Sequence, residues 1–72
     1  MKIIIESHIK EVRKAKKISV RELAALTGMS KTYISDVENN HSSPTLQTLC
    51  HIAAVLDVEP EKLYNYKIIN DI

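Results

Sequence analysis

Apolar residues recur at helical spacing through most of the chain. Over residues 46–56 they follow i, i+3, i+4 spacing for nearly three turns, at Leu46, Leu49, Ile52, Ala53 and Leu56. Such a stripe predicts an amphipathic helix that packs one face against the rest of the protein. Ile9 and Val12 give a shorter form of the pattern, with lysines facing outward, and predict a first helix over about residues 7–17.

Residues at the predicted helix ends support these boundaries. Three hydroxyl residues can cap the helices that follow them: Ser19, Ser30 and Thr45. Glu22 completes a capping box with Ser19, and Asn39-Asn40 is suited to end a helix in the left-handed conformation. Pro60 fits the first position of a short fifth helix through Leu63 and Tyr64. We therefore predict an all-α fold, one compact five-helix domain over residues 1–72.

The two ends of the chain do not fit a helical bundle. Residues 2–6 and 64–72 are rich in isoleucine and tyrosine, which favour strands, and Tyr64, Tyr66 and Ile68 alternate. Two interpretations are open. The ends lie over the core as irregular tails, or they pair with each other or form a self-association surface, since exposed aliphatic patches often mark interfaces.

Residues 20–39 are the most informative segment, because they read as two short helices joined by a tight turn. Ala24 lets the helices approach, Gly28 can adopt the positive φ that closes the turn, and Ile34 and Val37 face inward. Five hydrophilic residues remain on the outer face of the second helix: Lys31, Thr32, Ser35, Asp36 and Asn39. The pattern predicts a helix-turn-helix, whose second helix can enter a DNA major groove.

The net charge of +1 conceals a polarised distribution. Between Lys10 and Lys31 lie seven basic and two acidic residues, a net +5, and the rest of the chain carries −4. Charged residues often only solvate a helix surface. A basic segment next to a helix-turn-helix pattern instead favours contact with nucleic acid.

Other chemistry has little support. His8, His41, Cys50 and His51 match no zinc-binding spacing, and Cys50 is expected to be a small core residue. A single cysteine cannot form an internal disulfide, and no apolar run is long enough for a secretion signal or membrane span, so we expect a cytoplasmic protein. There is no glycine-rich phosphate loop and no nucleophile elbow. We expect no enzymatic activity, cofactor or small-molecule ligand.

The block from Ile9 to Tyr64, about three-quarters of the chain, resembles the phage-repressor and Cro-like helix-turn-helix family, also called the xenobiotic-response-element type. The resemblance rests on a series of residues along the block: Ile9, Val12, Arg13, Ser19, Glu22-Leu23-Ala24, Gly28-Met29-Ser30, Ile34, Val37-Glu38-Asn39, Pro44-Thr45-Leu46, Leu49, Ile52, Ala53 and Leu56. It implies a lambda-repressor-like DNA-binding domain.

The resemblance also implies roles for particular residues. Arg13 matches an arginine that pairs with the glutamate ending the recognition helix, here Glu38, although the two could also be unpaired surface charges. The positions that face base edges are Lys31, Thr32, Ser35 and Asp36, whose side chains suit guanine, thymine and cytosine edges. The positions that face phosphates are Val20, Arg21, Tyr33, Asn39, Asn40, Ser42 and Ser43.

The chain departs from the family pattern at two positions. Val20 stands where many members have a glutamine that touches phosphate, so that contact must come from the backbone or from Arg21. Asn40 stands where many have glycine. In addition, the Asp36 carboxylate would face DNA, which implies either cytosine reading or a narrower role for that position.

These observations predict a transcriptional regulator that binds double-stranded operator DNA as a homodimer, in the style of Cro-like regulators and restriction–modification controller proteins. The alternative is a protein-interaction module of the same fold, such as an antitoxin or anti-repressor, with weak DNA binding. The near-neutral charge, Val20 and Asp36 favour this alternative; the +5 segment and the polar helix face favour the regulator.

Overall fold

The computed structural model describes residues 1–70; the last two residues of the predicted strand-forming end, Asp71 and Ile72, lie outside them. Its elements in chain order are β1 (Lys2–Ser7), α1 (Ile9–Ala15), α2 (Val20–Thr27), α3 (Lys31–Glu38), α4 (Leu46–Leu56), a 3₁₀ helix (Pro60–Leu63) and β2 (Tyr64–Ile69). None of these helices is long and apolar enough to cross a membrane.

The prediction of an all-α, five-helix domain is wrong in two respects. The predicted fifth helix is a single 3₁₀ turn of four residues, Pro60–Leu63, because β2 begins directly after it at Tyr64. The ends also form a sheet. The first helix is shorter than predicted, since β1 occupies residues up to Ser7 and Lys17 has a positive φ of 59°.

Strands β1 and β2 pair antiparallel, so the interpretation of the ends as irregular tails is wrong and the pairing alternative is confirmed. Their register runs from Lys2 opposite Ile69 to Ser7 opposite Tyr64. We call this two-stranded sheet the ribbon. It joins the helical body where the His8 amide donates to the Leu63 carbonyl at 2.7 Å.

The predicted caps are confirmed for α2, α3 and α4. Ser30 Oγ accepts from the Tyr33 amide at 3.0 Å, and Thr45 Oγ1 accepts from the Thr48 amide at 3.1 Å. Gly28 ends α2 with φ 75°, and Asn40 follows α3 with φ 62°. Helices α2, α3 and α4 therefore each start at a residue whose capping role follows from the local sequence, whereas α1 starts at His8 without a side-chain cap.

The core lies between the four α-helices and the 3₁₀ helix. Its buried apolar residues are Ile9, Leu23, Ile34, Val37, Leu49, Ile52, Ala53, Leu56 and Leu63. Two residues of α4 differ from expectation: Leu46 is 81% exposed, and Cys50 is exposed rather than in the core. Leu46 is the first residue of α4 and lies beyond the packed stripe, and Cys50 is rotated about 100° from Leu49.

Candidate nucleic-acid interface

The turn between α2 and α3 is built from short-range hydrogen bonds. The Gly28 amide donates to the Ala24 carbonyl at 2.9 Å, and the Thr27 hydroxyl donates to the Leu23 carbonyl at 2.8 Å. That hydroxyl also accepts from the Met29 amide at 3.3 Å. Because Gly28 has a φ of 75°, which residues with a Cβ rarely adopt, the chain can turn from α2 into α3 within three residues.

Helix α3 divides into a buried face and a hydrophilic face. Ile34 and Val37 are each 1% exposed and pack into the core. The four predicted base-facing residues lie together on the other side, with Lys31 and Thr32 exposed and Ser35 and Asp36 half-buried. Two of the pairs, 31 with 35 and 32 with 36, are four residues apart and so lie one turn apart on the same side.

A buried ion pair fixes the C-terminal end of α3. Arg13 and Glu38 are 6% and 9% exposed, and the guanidinium donates through Nε at 2.7 Å and Nη2 at 3.1 Å to the two carboxylate oxygens. The predicted pair is therefore formed. Arg13 Nη1 also donates to the Ile18 carbonyl at 2.9 Å, a bond for which the sequence carries no signal. With its guanidinium so engaged, Arg13 positions α3 and is not available to a phosphate.

The loop after α3 is held close to that helix. The Asp36 carbonyl accepts from the His41 amide at 2.7 Å and from the Ser42 amide at 3.3 Å, and Asn39 Nδ2 donates to the Ser35 carbonyl at 2.9 Å. Asn39 and Ser43 are exposed and Ser42 is half-buried. The structure thus brings the predicted loop residues alongside the hydrophilic face of α3.

Asn40 has a role that the sequence did not reveal. Its Oδ1 accepts from the amide of Ser7, the last residue of β1, at 3.0 Å. The side chain therefore ties the loop after α3 to the ribbon, 33 residues away in the chain. No local pattern could have indicated this contact, because it depends on how the ribbon meets the body.

The start of α2 exposes backbone donors. Ser19 and Glu22 form a reciprocal capping box at 3.0 Å in each direction, which uses the Glu22 amide. Hydrogen bonds from Ser19, first from its backbone, lower the pKa of Glu22. The amides of Val20 and Arg21 lie in the first turn, where no helical carbonyl is available to them. The Val20 and Tyr33 side chains are half-buried against the core, and Arg21 is exposed.

The positive charge of residues 10–31 remains largely on the surface. Apart from Arg13, its basic residues are all exposed: Lys10, Lys14, Lys16, Lys17, Arg21 and Lys31. Within residues 1–70 none of these six makes an ion pair with a carboxylate. They provide unneutralised charge on α1, the loop after it, and the starts of α2 and α3.

Comparison with known proteins identifies the class. A family model described as helix-turn-helix matches residues 9–63. This chain belongs to the helix-turn-helix family, of the xenobiotic-response-element type that its sequence resembles.

Individual relatives make the placement more specific. The transcriptional regulator SinR of Bacillus licheniformis is 42% identical over 65 residues, which are 89% of this chain and 59% of that protein. The chain thus spans about three-fifths of the length of this curated relative.

Two solved structures are similar in fold. The restriction-modification controller protein C.AhdI of Aeromonas hydrophila has a TM-score of 0.73 at 33% identity, covering 76% of this chain and 83% of that one. SinR, a master regulator for biofilm formation, in complex with DNA has a TM-score of 0.70 at 42% identity, covering 75% and 87%.

Proposed function

We propose that this protein is a sequence-specific DNA-binding transcriptional regulator that occupies an operator as a homodimer in the cytoplasm. The observation that carries the proposal is the arrangement of α3. Its apolar face and its Arg13–Glu38 clamp hold it rigidly, while Lys31 and Thr32 stay exposed. A rigid helix with a solvated polar face is what major-groove recognition requires. The relative SinR, solved in complex with DNA, supports the same reading.

Four residues of α3 read base edges in this proposal. Lys31 donates to guanine O6 or N7, and Thr32 bonds a base or contacts a thymine methyl. Asp36 accepts a hydrogen bond from cytosine N4. The Ser35 hydroxyl can donate to or accept from a base edge. The Asp36 carboxylate lies 3.9 Å from Nδ1 of His41 in the loop after α3.

Phosphate contacts flank these residues on two sides. The free amides of Val20 and Arg21 and the Arg21 guanidinium bind one phosphate at the start of α2. The loop after α3 binds another through Asn39, Asn40, Ser42 and Ser43, and the Tyr33 hydroxyl reaches the backbone beside α3. Asn40 contributes through its backbone, since its Oδ1 is already occupied by the Ser7 amide.

We propose a dimer because the interface between one copy of the chain and DNA is small. One module of this kind buries about 600–1,000 Å² on DNA, which limits its affinity. Two modules on half-sites about one helical turn apart add their contacts.

The experiment is selection from a random duplex library, followed by fluorescence anisotropy on the selected and a scrambled duplex. Lys31→Ala and Thr32→Ala are expected to reduce the preference for the selected duplex, whereas Arg21→Ala weakens both duplexes alike. Lys62→Ala, which removes an exposed lysine in the 3₁₀ helix, is the control for loss of one charge. Failure to enrich any sequence, with the chain folded, favours the protein-interaction module instead.

Salt dependence gives a second readout. If a dimer contacts about 6–10 phosphates, its affinity falls roughly 10³–10⁵-fold between 50 and 200 mM salt. An affinity that hardly changed over this range would contradict the proposal.

A further inference from the structure

The antiparallel register sorts the ribbon's side chains onto two different faces. Residues directly opposite each other share a face. One face, which we call the apolar ribbon face, consists of the pairs Ile3 with Ile68, Ile5 with Tyr66, and Ser7 with Tyr64. The other face consists of the pairs Lys2 with Ile69, Ile4 with Lys67, and Glu6 with Asn65.

The apolar ribbon face is open to solvent. Its five large side chains are between 37% and 60% exposed, and none of its six residues is charged. The opposite face carries an ion pair, in which Lys67 Nζ lies 2.9 Å from Glu6 Oε1. This contact raises the pKa of Lys67 and lowers that of Glu6. The opposite face therefore presents paired charges to water, whereas the apolar ribbon face presents only isoleucine, tyrosine and one serine.

A pocket extends the apolar ribbon face toward the helical body. It has a volume of about 230 Å³ and is lined at one side by Ile5 and Tyr64 of the ribbon and at the other by Val37 and Leu49. Leu46, which the α4 pattern had suggested for the core, lines the same pocket and is 81% exposed. Leu46 therefore lies next to the apolar ribbon face, across the same pocket.

We infer that a second copy of this chain packs against the apolar ribbon face, through a two-fold axis, and so forms the dimer. The inference rests on the proposed function in that a regulator of this size needs two copies on its operator. A two-fold interface joins a surface to itself, and this surface holds no charge that self-pairing would bring against a like charge. A two-stranded sheet is also marginal alone and gains stability by covering a face.

The area is sufficient. Five ribbon residues and Leu46 together expose a mostly apolar surface on the order of 700 Å², close to the roughly 800 Å² that each partner gives to a standard interface. The pocket also includes Asn40, Ser42 and Ser43 in its lining. The dimer interface therefore adjoins the proposed phosphate-binding loop and fixes the distance between the two α3 helices.

Two neighbouring isoleucines of β2 provide a matched test. Ile68 is 53% exposed on the apolar ribbon face, and Ile69 is 41% exposed on the opposite face. Sedimentation equilibrium of the full chain without DNA is expected to show a dimer. Ile68→Lys is expected to weaken dimerisation by about 100-fold or more, because the lost contact occurs twice across the axis. Ile69→Lys is expected to change it by about three-fold or less.

Circular dichroism of both variants is the control, and both are expected to keep the helical signal of the parent chain. A chain that is monomeric at several hundred micromolar, or equal weakening by the two variants, would overturn the inference. A truncation lacking residues 67–72 that sedimented like the full chain would overturn it as well. A different outcome would separate the two proposals. If Ile68→Lys alone disrupted the dimer but the chain selected no DNA sequence, the proposed function would be contradicted and the dimer interface would be supported.

Discussion

The helical body and the ribbon handle their apolar and polar groups in opposite ways. In the body, seven large apolar side chains are less than 2% exposed, and the buried Arg13–Glu38 pair satisfies its charges internally. In the ribbon, no residue within 2–7 or 64–69 is buried, although about half are isoleucine or tyrosine. The body buries its core within a single chain. The ribbon pairs its two strands only with each other and leaves its apolar side chains exposed, and for this reason we propose that it is the part that packs against a partner.

The largest expected effect comes from breaking the body's buried ion pair from one side. Arg13→Ala strands the Glu38 carboxylate at 9% exposure and is expected to cost about 3–5 kcal/mol of unfolding free energy. Urea unfolding followed by circular dichroism measures this. For a domain of this size such a loss removes much of the native population at 25 °C.

The double variant Arg13→Met, Glu38→Leu is the control, since it removes both charges and keeps similar volume. It is expected to recover most of the lost stability. If Arg13→Ala alone cost less than about 1 kcal/mol, the pair would not be the clamp that positions α3.

Two leucines one turn apart in α4 contrast the buried core of the body with the exposed apolar surface next to the ribbon. Leu49 is 8% exposed, and Leu49→Ala is expected to cost about 2–5 kcal/mol of unfolding free energy. Leu46 is 81% exposed, and Leu46→Ala is expected to change that quantity by about 0.5 kcal/mol or less at a concentration where the chain is monomeric. Instead it weakens dimerisation, by roughly ten-fold in sedimentation. Leu46→Ala acting on folding rather than association would remove Leu46 from the interface.

Asn40 tests the link between the two regions. Asn40 and Asp57 both have positive φ, 62° and 58°, so glycine relieves similar backbone strain at each. Only Asn40→Gly also removes the acceptor for the Ser7 amide. We expect Asn40→Gly to be about 0.5–1.5 kcal/mol less favourable than Asp57→Gly in thermal unfolding. Faster amide exchange at Ser7 in Asn40→Gly alone would locate the effect at the ribbon junction.

The smallest expected effect concerns acid pH. The pKa values of Glu22 in the body and Glu6 in the ribbon are both lowered, by hydrogen bonds from Ser19 and Lys67. Lowered pKa values in the folded chain stabilise it above the unfolded pKa of about 4.3, and this contribution is lost as pH falls through the folded values. Both groups lie at the surface, with the Glu6 side chain 38% exposed, so only a small shift in Tm is expected.

Single variants separate the two groups. Glu22→Ala is expected to lower the Tm at pH 6, with a difference from the parent chain that shrinks below about pH 4. Glu6→Ala is expected to leave the melting of the helices almost unchanged. A difference that grew on acidification would mean that folding raises the pKa of Glu22, which would contradict the lowered value expected here.

The sequence predicts the body far better than the ribbon. Ser19, Ser30, Thr45 and Gly28 act within three or four residues of themselves, so their roles follow from local chemistry. The Arg13–Glu38 pair spans 25 residues and was accessible only through the family resemblance. The register of β1 with β2 and the Ser7–Asn40 contact join distant parts of the chain and have no local signature.

Leu46 and Cys50 were predicted to lie in the core but are exposed, because the position of each in α4 turns it away from the packed residues. Leu46 follows the apolar spacing of α4 but lies at its first residue, beyond the end of the core, so its periodicity does not imply burial. Cys50 has the size of a core residue but the wrong rotation about the helix. The roles of Lys31, Thr32, Ser35 and Asp36 in reading bases stay predictions, because their chemistry depends on a DNA sequence that the chain does not encode.

The most direct test of the α3 assignment is chemical-shift mapping of the ¹⁵N-labelled chain with its selected duplex. We expect the largest perturbations at residues 31–36, with further changes at 20–21 and 39–43, and the apolar ribbon face unchanged on adding DNA to the preformed dimer. Perturbations that left α3 untouched and clustered elsewhere would contradict the claim that its hydrophilic face reads the bases.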